Sequence, residues 1–253
     1  MAIDFNADLG EGYGAFSVGN DEELLSIISS CNIACGFHAG DYKTIPQTVK
    51  RAMEKGVQIG AHPSFYDLHG FGRRNIPHTP EDIYELMIYQ LGALQAFVRL
   101  HGGRLNHVKP HGALYNVGCK DSSVAQAIAQ AVKDFDQRLV LFGLANSELI
   151  RAGQQVGLVT AQEAFADRTY QNDGTLTPRI ENNAVLHDTD SVVEQALRIA
   201  KEGKVTSVDG MDIELHADTL CFHGDTPEAV EHAKACKHAF EKEGIHIMTT
   251  FGM

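Results

Sequence analysis

The sequence predicts an α/β protein built as a seven-stranded (β/α) barrel, in a single domain spanning residues 1–253. Three observations carry that expectation. Short apolar runs alternate with amphipathic stretches from end to end. No Pro/Ser-rich linker or break in composition divides the chain. The length of 253 residues also matches the roughly 250 typical of one α/β barrel. Alternation of this kind argues for βαβ units and a parallel sheet, and about seven repeats in an undivided chain favour closure over an open doubly wound sheet.

The runs with strand character are Ile3–Asp8, Asn32–Phe37, Val57–Ala61, Leu105–Val108, Leu139–Phe142, Gly157–Thr160 and Thr219–His223. Val205–Val208 and His246–Thr249 are two shorter candidates. Helix starts lie between them. Asn20 precedes Asp21-Glu22-Glu23 in a capping-box pattern, and Thr79 caps a helix whose first residue is Pro80. That second helix places Ile83, Met87, Leu91, Leu94 and Val98 on one face. Val124, Ile128, Ala131 and Phe135 form another such face, and Val193, Ala196, Leu197 and Ala200 a further one. Thr226-Pro227-Glu228 repeats the start signal before Val230, Ala233 and Phe240.

The strands also divide by face, because side chains alternate along a strand. Ile3, Phe5 and Ala7 oppose Asp4, Asn6 and Asp8; Ile33, Cys35 and Phe37 oppose Asn32, Ala34, Gly36 and His38. Val57, Ile59 and Ala61 oppose Gln58, Gly60 and His62. His107, Lys109 and His111 share one face of the fourth strand, and Cys221, His223 and Asp225 one face of the last. A barrel turns the apolar face to its outer helices and the polar or small face inward. Parallel α/β folds build their sites at the C-terminal edge of the sheet. Asp8, His38, His62, Lys109, His111 and His223 are therefore expected at one rim.

Composition narrows the function. With a formal net charge of −12 the chain repels phosphate backbones, so nucleic acid is not an expected partner. No run of about 18 apolar residues is present, and the N-terminus lacks a basic region followed by an apolar stretch, so neither a membrane span nor a signal peptide is expected and the location is read as cytoplasmic. Five cysteines without C-x-x-C suggest neither a disulfide framework nor a zinc ribbon, and Cys31 and Cys35 read as buried thiols.

The loops that follow the strands carry the candidate chemistry. Asn6-Ala7-Asp8-Leu9-Gly10-Glu11-Gly12 lets backbone approach a ligand beside two carboxylates. It does not read as a dinucleotide fingerprint, because Glu11 would face the pyrophosphate. His38 with Asp41 offers a histidine held by a carboxylate. Arg73, beside Arg74, can clamp a carboxylate. Lys109 is rare in a barrel interior unless paired, and it can stabilise an oxyanion or bind a carboxylate or phosphate. Pro110 rules out a helical zinc motif for His107 and His111. Asp167 lies in a charged, turn-rich stretch leading to Arg179. Candidate catalytic residues are thus Asp8, Glu11, His38, Asp41, His62, Lys109, His111, Asp167 and His223; candidate substrate-binding residues are Asn6, Arg73, Tyr115 and Arg179. No G-x-x-x-x-G-K-[ST] and no G-x-S-x-G occurs.

Taken together, the stretches NADLGEG, NIACGFHAGD, GAHPSF, GFGRR, HVKPHGALYN, FADRTY and LCFHGD resemble the LamB/YcsF family, in family order and over nearly the whole chain. The resemblance implies a seven-stranded (β/α) barrel of the glycoside hydrolase/deacetylase type. It implies the A component of a 5-oxoprolinase that opens the lactam of 5-oxo-L-proline, with ATP as co-substrate. Its expected partners are B and C subunits resembling those of allophanate hydrolase; a homo-oligomer is also compatible. In that reading Asp8 or His38 is the base, Lys109 and His111 stabilise the oxyanion or leaving phosphate, and Arg73 or Arg179 holds the substrate carboxylate. Two rivals stand beside it. One is a metal-dependent deacetylase or amidase with a divalent ion on Asp8, His38 and His62. The other is a non-catalytic component that delivers substrate to its partners.

Overall fold

A computed structural model describes residues 1–222, 228–249 and 251. In chain order it contains β1 (Ala2–Leu9), α1 (Asp21–Leu24), β2 (Ser30–Ala34), α2 (Thr44–Glu54), β3 (Gln58–His62), α3 (Pro80–Leu100), β4 (His107–Val108), α4 (Gly112–Gly118) and α5 (Ser122–Phe135). It continues with β5 (Val140–Leu144), α6 (Glu148–Val156), β6 (Val159–Phe165), α7 (Thr189–Glu202), β7 (Lys204–Thr206), β8 (Asp212–Glu214), β9 (Thr219–Phe222), α8 (Ala229–Lys242) and β10 (His246–Ile247).

Seven parallel strands run β1-β2-β3-β4-β5-β6-β9, and β9 returns to β1 through Asp4↔Thr219 to Ala7↔Phe222, closing the expected barrel. β1 is long enough for a second role: its first residues also pair in parallel with β10. The candidate strand at Val205–Val208 instead belongs to the antiparallel β7–β8 ribbon outside the barrel.

Helix starts follow the sequence signals. Thr79 and Asp82 form a reciprocal capping box on α3, with Pro80 in its first turn. Ile83, Met87, Leu91, Leu94 and Val98 are all buried against the barrel. Asn20 caps α1 through the backbone N–H of Glu23, although that helix is only one turn long. The inner face of α7 centres on Val192, Ala196 and Ile199, with Val193, Leu197 and Ala200 partly buried beside it. The Thr226-Pro227 start lies outside the described residues; α8 buries Ala233 and Phe240, and Val230 is partly buried.

Two strand boundaries differ from expectation. β2 stops at Ala34 because Gly36 adopts φ +91°, a turn closed by Gly36 N–H donating to the Ala39 carbonyl. β6 starts later and runs further than Gly157–Thr160, because Gly157 is the left-handed cap of α6. The strand therefore includes Glu163, which the sequence places in a loop.

The interior is polar through its middle. Asp4, Asn6, Ser30, Asn32, His107, Glu163 and Thr219 are all fully buried there. Gly60 makes room for this layer: a Cβ on it would land inside the His107 ring. His107 stacks on Phe142, which belongs with Val140, Ala161 and Phe251 to a small apolar cluster separate from the main core.

Candidate active site at the barrel rim

β1 brings Asp8 to its last turn of pleat, and the following loop folds Glu11 back over the barrel, where it is 4% exposed. His38 follows β2, His62 ends β3, and Lys109 and His111 follow β4. These six side chains meet. Lys109 Nζ donates to Asp8 Oδ1 at 3.0 Å and lies 2.8 Å from Glu163 Oε1. It also contacts Asn6 Oδ1 at 3.2 Å and Cys221 Sγ at 3.0 Å. Burial opposes the lysine's charge, but Asp8 and the other groups around it more than offset that and raise its pKa well above the ordinary value. Four acceptors face three protons, so this ammonium is already fully engaged.

The histidines form a second layer above. His62 Nδ1 donates to the Lys109 carbonyl at 2.7 Å, and His111 Nε2 to the Phe71 carbonyl at 2.9 Å. Their remaining nitrogens, His62 Nε2 and His111 Nδ1, face each other at 2.9 Å. Asp8 Oδ2 lies 3.4 Å from His62 Nε2. His38 stacks on His111 with centroids 3.8 Å apart, and its Nε2 is 3.0 Å from Glu11 Oε1. Burial, then the neighbouring histidines, hold His38 and His111 well below the usual imidazole pKa, so both are neutral rings. Gly72, at φ +65°, leaves the space these rings occupy: a Cβ there would crowd both His38 and His111.

Above the histidines lies a cavity of about 460 Å³. Asp8, Glu11, His62, Lys109 and His111 line it where the strands end, together with Tyr115 and Phe165 and a group of three arginines, Arg73, Arg168 and Arg179. The Arg168 guanidinium is buried and donates to the carbonyls of Ala184 at 2.9 Å and Thr177 at 2.5 Å. Burial, with Arg179 and Arg73 nearby, pushes its pKa down to about 10. Arg73 and Arg179 are exposed at the mouth. A group of three guanidiniums in a strongly acidic chain is suited to an anion.

Several expected site residues lie elsewhere. Asn6 is not at the cavity: it is fully buried below it, donating to Glu163 and Thr219 and accepting from Asn32 and Lys109. Asp41 is not the carboxylate on His38; Glu11 is. Asp41 instead accepts the backbone N–H groups of Gly14, Lys43 and Thr44, which hold its pKa down to about 2. His38 sits behind Glu11 and His111 rather than on the cavity surface. Asp167 is buried beside Arg168, its carbonyl accepting the Leu186 N–H. Tyr115 does reach the cavity, donating its hydroxyl to Glu163 at 2.7 Å. His223 lies outside the described residues. The donors of Lys109 and His111 are engaged within the protein, which argues against the oxyanion role expected of them.

Sequence reasoning missed Glu163, Arg168, Asn32 and Cys221. For Glu163 a signal exists: it is two residues from Ala161 and Phe165 and so shares their face of β6. Cys31 and Cys35 are buried free thiols as expected, and burial pushes Cys35 up to about 12.

A closed parallel barrel with an ionisable cluster and a small-molecule cavity at its C-terminal rim defines the class: a (β/α)-barrel protein with its site where such barrels place theirs. The LamB/YcsF family model matches residues 3–252, and the chain belongs to that family. It is 54% identical over 245 residues to a protein of Oceanobacillus iheyensis named as the A subunit of 5-oxoprolinase, covering 97% of this chain and 95% of that one. A Geobacillus kaustophilus protein of the same name is also 54% identical, with the same coverage. The crystal structure of a lactam utilization protein from Thermus thermophilus matches at TM-score 0.93 and 44% identity, covering 98% of this chain and 100% of that one. The T48 deacetylase, at TM-score 0.51 and 16% identity over 98% of this chain and 87% of its own, shares the fold. No described helix is long and apolar enough to cross a membrane.

Proposed function

We propose that this chain is the A subunit of an ATP-dependent 5-oxoprolinase, which opens the lactam of 5-oxo-L-proline to L-glutamate. The observation that carries the reading is 54% identity across 97% of the chain to relatives of that name. The cavity supports it. Its volume suits a small polar molecule, and its arginine group complements a carboxylate held by Arg73 or Arg179. The lactam carbonyl then lies towards the histidines.

A lactam is a poor electrophile, and phosphorylation of its oxygen by ATP makes a better one. The chain carries no P-loop, so any nucleotide it meets is not held through one, and in this reading the B and C partners supply the phosphorylated lactam. Water adds to the carbonyl carbon while Asp8 takes its proton; the C–N bond then breaks as that proton passes to the nitrogen, which leaves as the amine, and a second water cleaves the resulting acyl phosphate to the carboxylate of glutamate and free phosphate. Lys109 holds Asp8 in place as a carboxylate. The charge on the departing phosphate falls to the exposed guanidiniums of the cavity, Arg73 and Arg179, because Lys109, His111 and Arg168 donate to groups of the protein.

The test is glutamate release from 5-oxoproline and ATP by the chain alone, by the B and C partners alone, and by all three. Release only from the full mixture is expected; no glutamate from any mixture would sink the proposal. Asp8→Asn should lower turnover by about 100-fold or more. Near-normal turnover in that variant would remove Asp8 as the base. The grouping of Glu11, His38, His62 and His111 favours one other reading, a metal-dependent amidase or deacetylase acting on a small amide or carbohydrate. Amide hydrolysis without ATP, lost to a chelator, would place that reading first.

A further inference from the structure

We infer that His62, His111, Glu11 and His38 form a binding site for one divalent transition-metal ion, zinc in preference to magnesium or calcium. The site stands on its donor atoms and not on the lactam reading, so either can fail without the other.

The tautomers carry the argument. A backbone carbonyl only accepts hydrogen bonds. His62 Nδ1 and His111 Nε2 each contact one, at 2.7 Å and 2.9 Å, so in the neutral rings those nitrogens bear the protons. His62 Nε2 and His111 Nδ1 are then bare lone pairs, and they point at each other across 2.9 Å. Two acceptors at that distance repel unless a cation lies between or beside them. The carboxylate atoms crowd the same point: Asp8 Oδ2 is 3.4 Å from His62 Nε2, and Glu11 Oε1 is 3.7 Å from His111 Nδ1. All four proposed ligands are buried, and one atom from each lies within 4.8 Å of the others.

The spacing fits a metal. Ligand atoms about 2.0–2.1 Å from a tetrahedral ion lie roughly 3.3 Å from one another. The separations here are 2.9, 3.0 and 3.7 Å for His62–His111, Glu11–His38 and Glu11–His111. The support also fits: metal-bound imidazoles are commonly oriented by donating their other N–H to a carbonyl, as His62 and His111 do. Three imidazoles and one carboxylate match a borderline ion such as Zn²⁺ better than the hard, oxygen-seeking Mg²⁺ or Ca²⁺. His62, His111 and Glu11 all line the cavity, so the ion would have an accessible side.

The experiment uses the full chain, stripped of adventitious metal by a chelator and gel filtration. Co²⁺ is added as a visible probe and Zn²⁺ as its competitor. A single Co²⁺ per chain with the strong visible absorption of four- or five-coordination, displaced by Zn²⁺, is expected. His62→Ala and His111→Ala should each weaken Zn²⁺ binding by about 100-fold or more, since losing even an outer partner of a ligand costs about 10–100-fold. His246→Ala, exposed on β10 at the far end of the barrel, should leave it unchanged. If the two facing nitrogens instead share a proton, Co²⁺ keeps the pale spectrum of its aqua ion, and the site is overturned. Zn²⁺ affinity indifferent to both histidine variants overturns it equally. The spectrum is read on the unmodified chain, so a variant that fails to fold does not leave the question open.

Discussion

Below the cavity floor, Lys109 meets Asp8, Glu163, Asn6 and Cys221, while Asn32 donates to Asn6 and Asp8, Asn6 donates to Glu163 and Thr219, and Thr219 donates to Asp4. One layer higher, His62 and His111 donate outward to backbone carbonyls, leaving their other nitrogens as two acceptors facing each other. Along the cavity, three arginines lie close enough for two of them to lower the pKa of the third. The lower layer is satisfied by the protein itself; the upper layer leaves two imidazole acceptors opposed, and the arginines set like charges side by side. A buried polar network that closes on itself positions its members. One that leaves like groups opposed is where a ligand, proton or ion completes the structure.

If that contrast is right, the largest loss of stability comes from opening the closed layer. Glu163→Ala removes one of the two carboxylates that balance the buried Lys109 charge and leaves the Tyr115 hydroxyl and an Asn6 N–H without their acceptor, and should cost about 3–5 kcal/mol in urea unfolding. A loss below about 1 kcal/mol would mean that water or Asp8 replaces Glu163 readily, and the contrast would weaken. The same layer predicts a pH effect. Burial, with Lys109 and His62 nearby, pushes His107 down to about 3, so the unfolded chain binds the extra proton first as pH falls. The contribution of His107 to stability is complete above about pH 6.5 and declines towards pH 3, by about 2 kcal/mol between pH 6.5 and 5. Urea midpoints for the parent chain and His107→Gln across that range would show it as a difference in slope.

The upper region should answer in function rather than stability. Arg179→Ala removes an exposed guanidinium from the cavity mouth and should lower kcat/KM for 5-oxoproline by about 10–100-fold while the unfolding midpoint stays put. An unchanged kcat/KM would leave the carboxylate to Arg73. The smallest effect lies in neither layer: Thr79→Ala breaks the α3 capping box and should cost about 1 kcal/mol with turnover unaffected, a baseline for purely local damage.

The barrel and the rim were legible because both depend on short-range periodicity. Alternation along β1 puts Asp4, Asn6 and Asp8 on one face whatever they meet, and the same rule brings His62 and Lys109 to strand ends. Thr79-Pro80 announces α3 through local backbone chemistry alone. The cost of relying on pattern shows at Glu163, a carboxylate that reads as loop until Lys109 is known to neutralise it inside the barrel.

The sequence by itself determined which residues face inward and at which end of the barrel they gather, since side-chain direction repeats every two residues along a strand. Only the closed tertiary structure decided the pairings. Lys109 meets Asp8 and Glu163, Asn6 meets Thr219, and His38 takes Glu11 although Asp41 is far closer along the chain. Those contacts join residues brought together by ring closure and strand register, and a backbone N–H or carbonyl can claim a side chain, as it does Asp41 and His111, before any distant partner arrives. Local pattern carries no information about either.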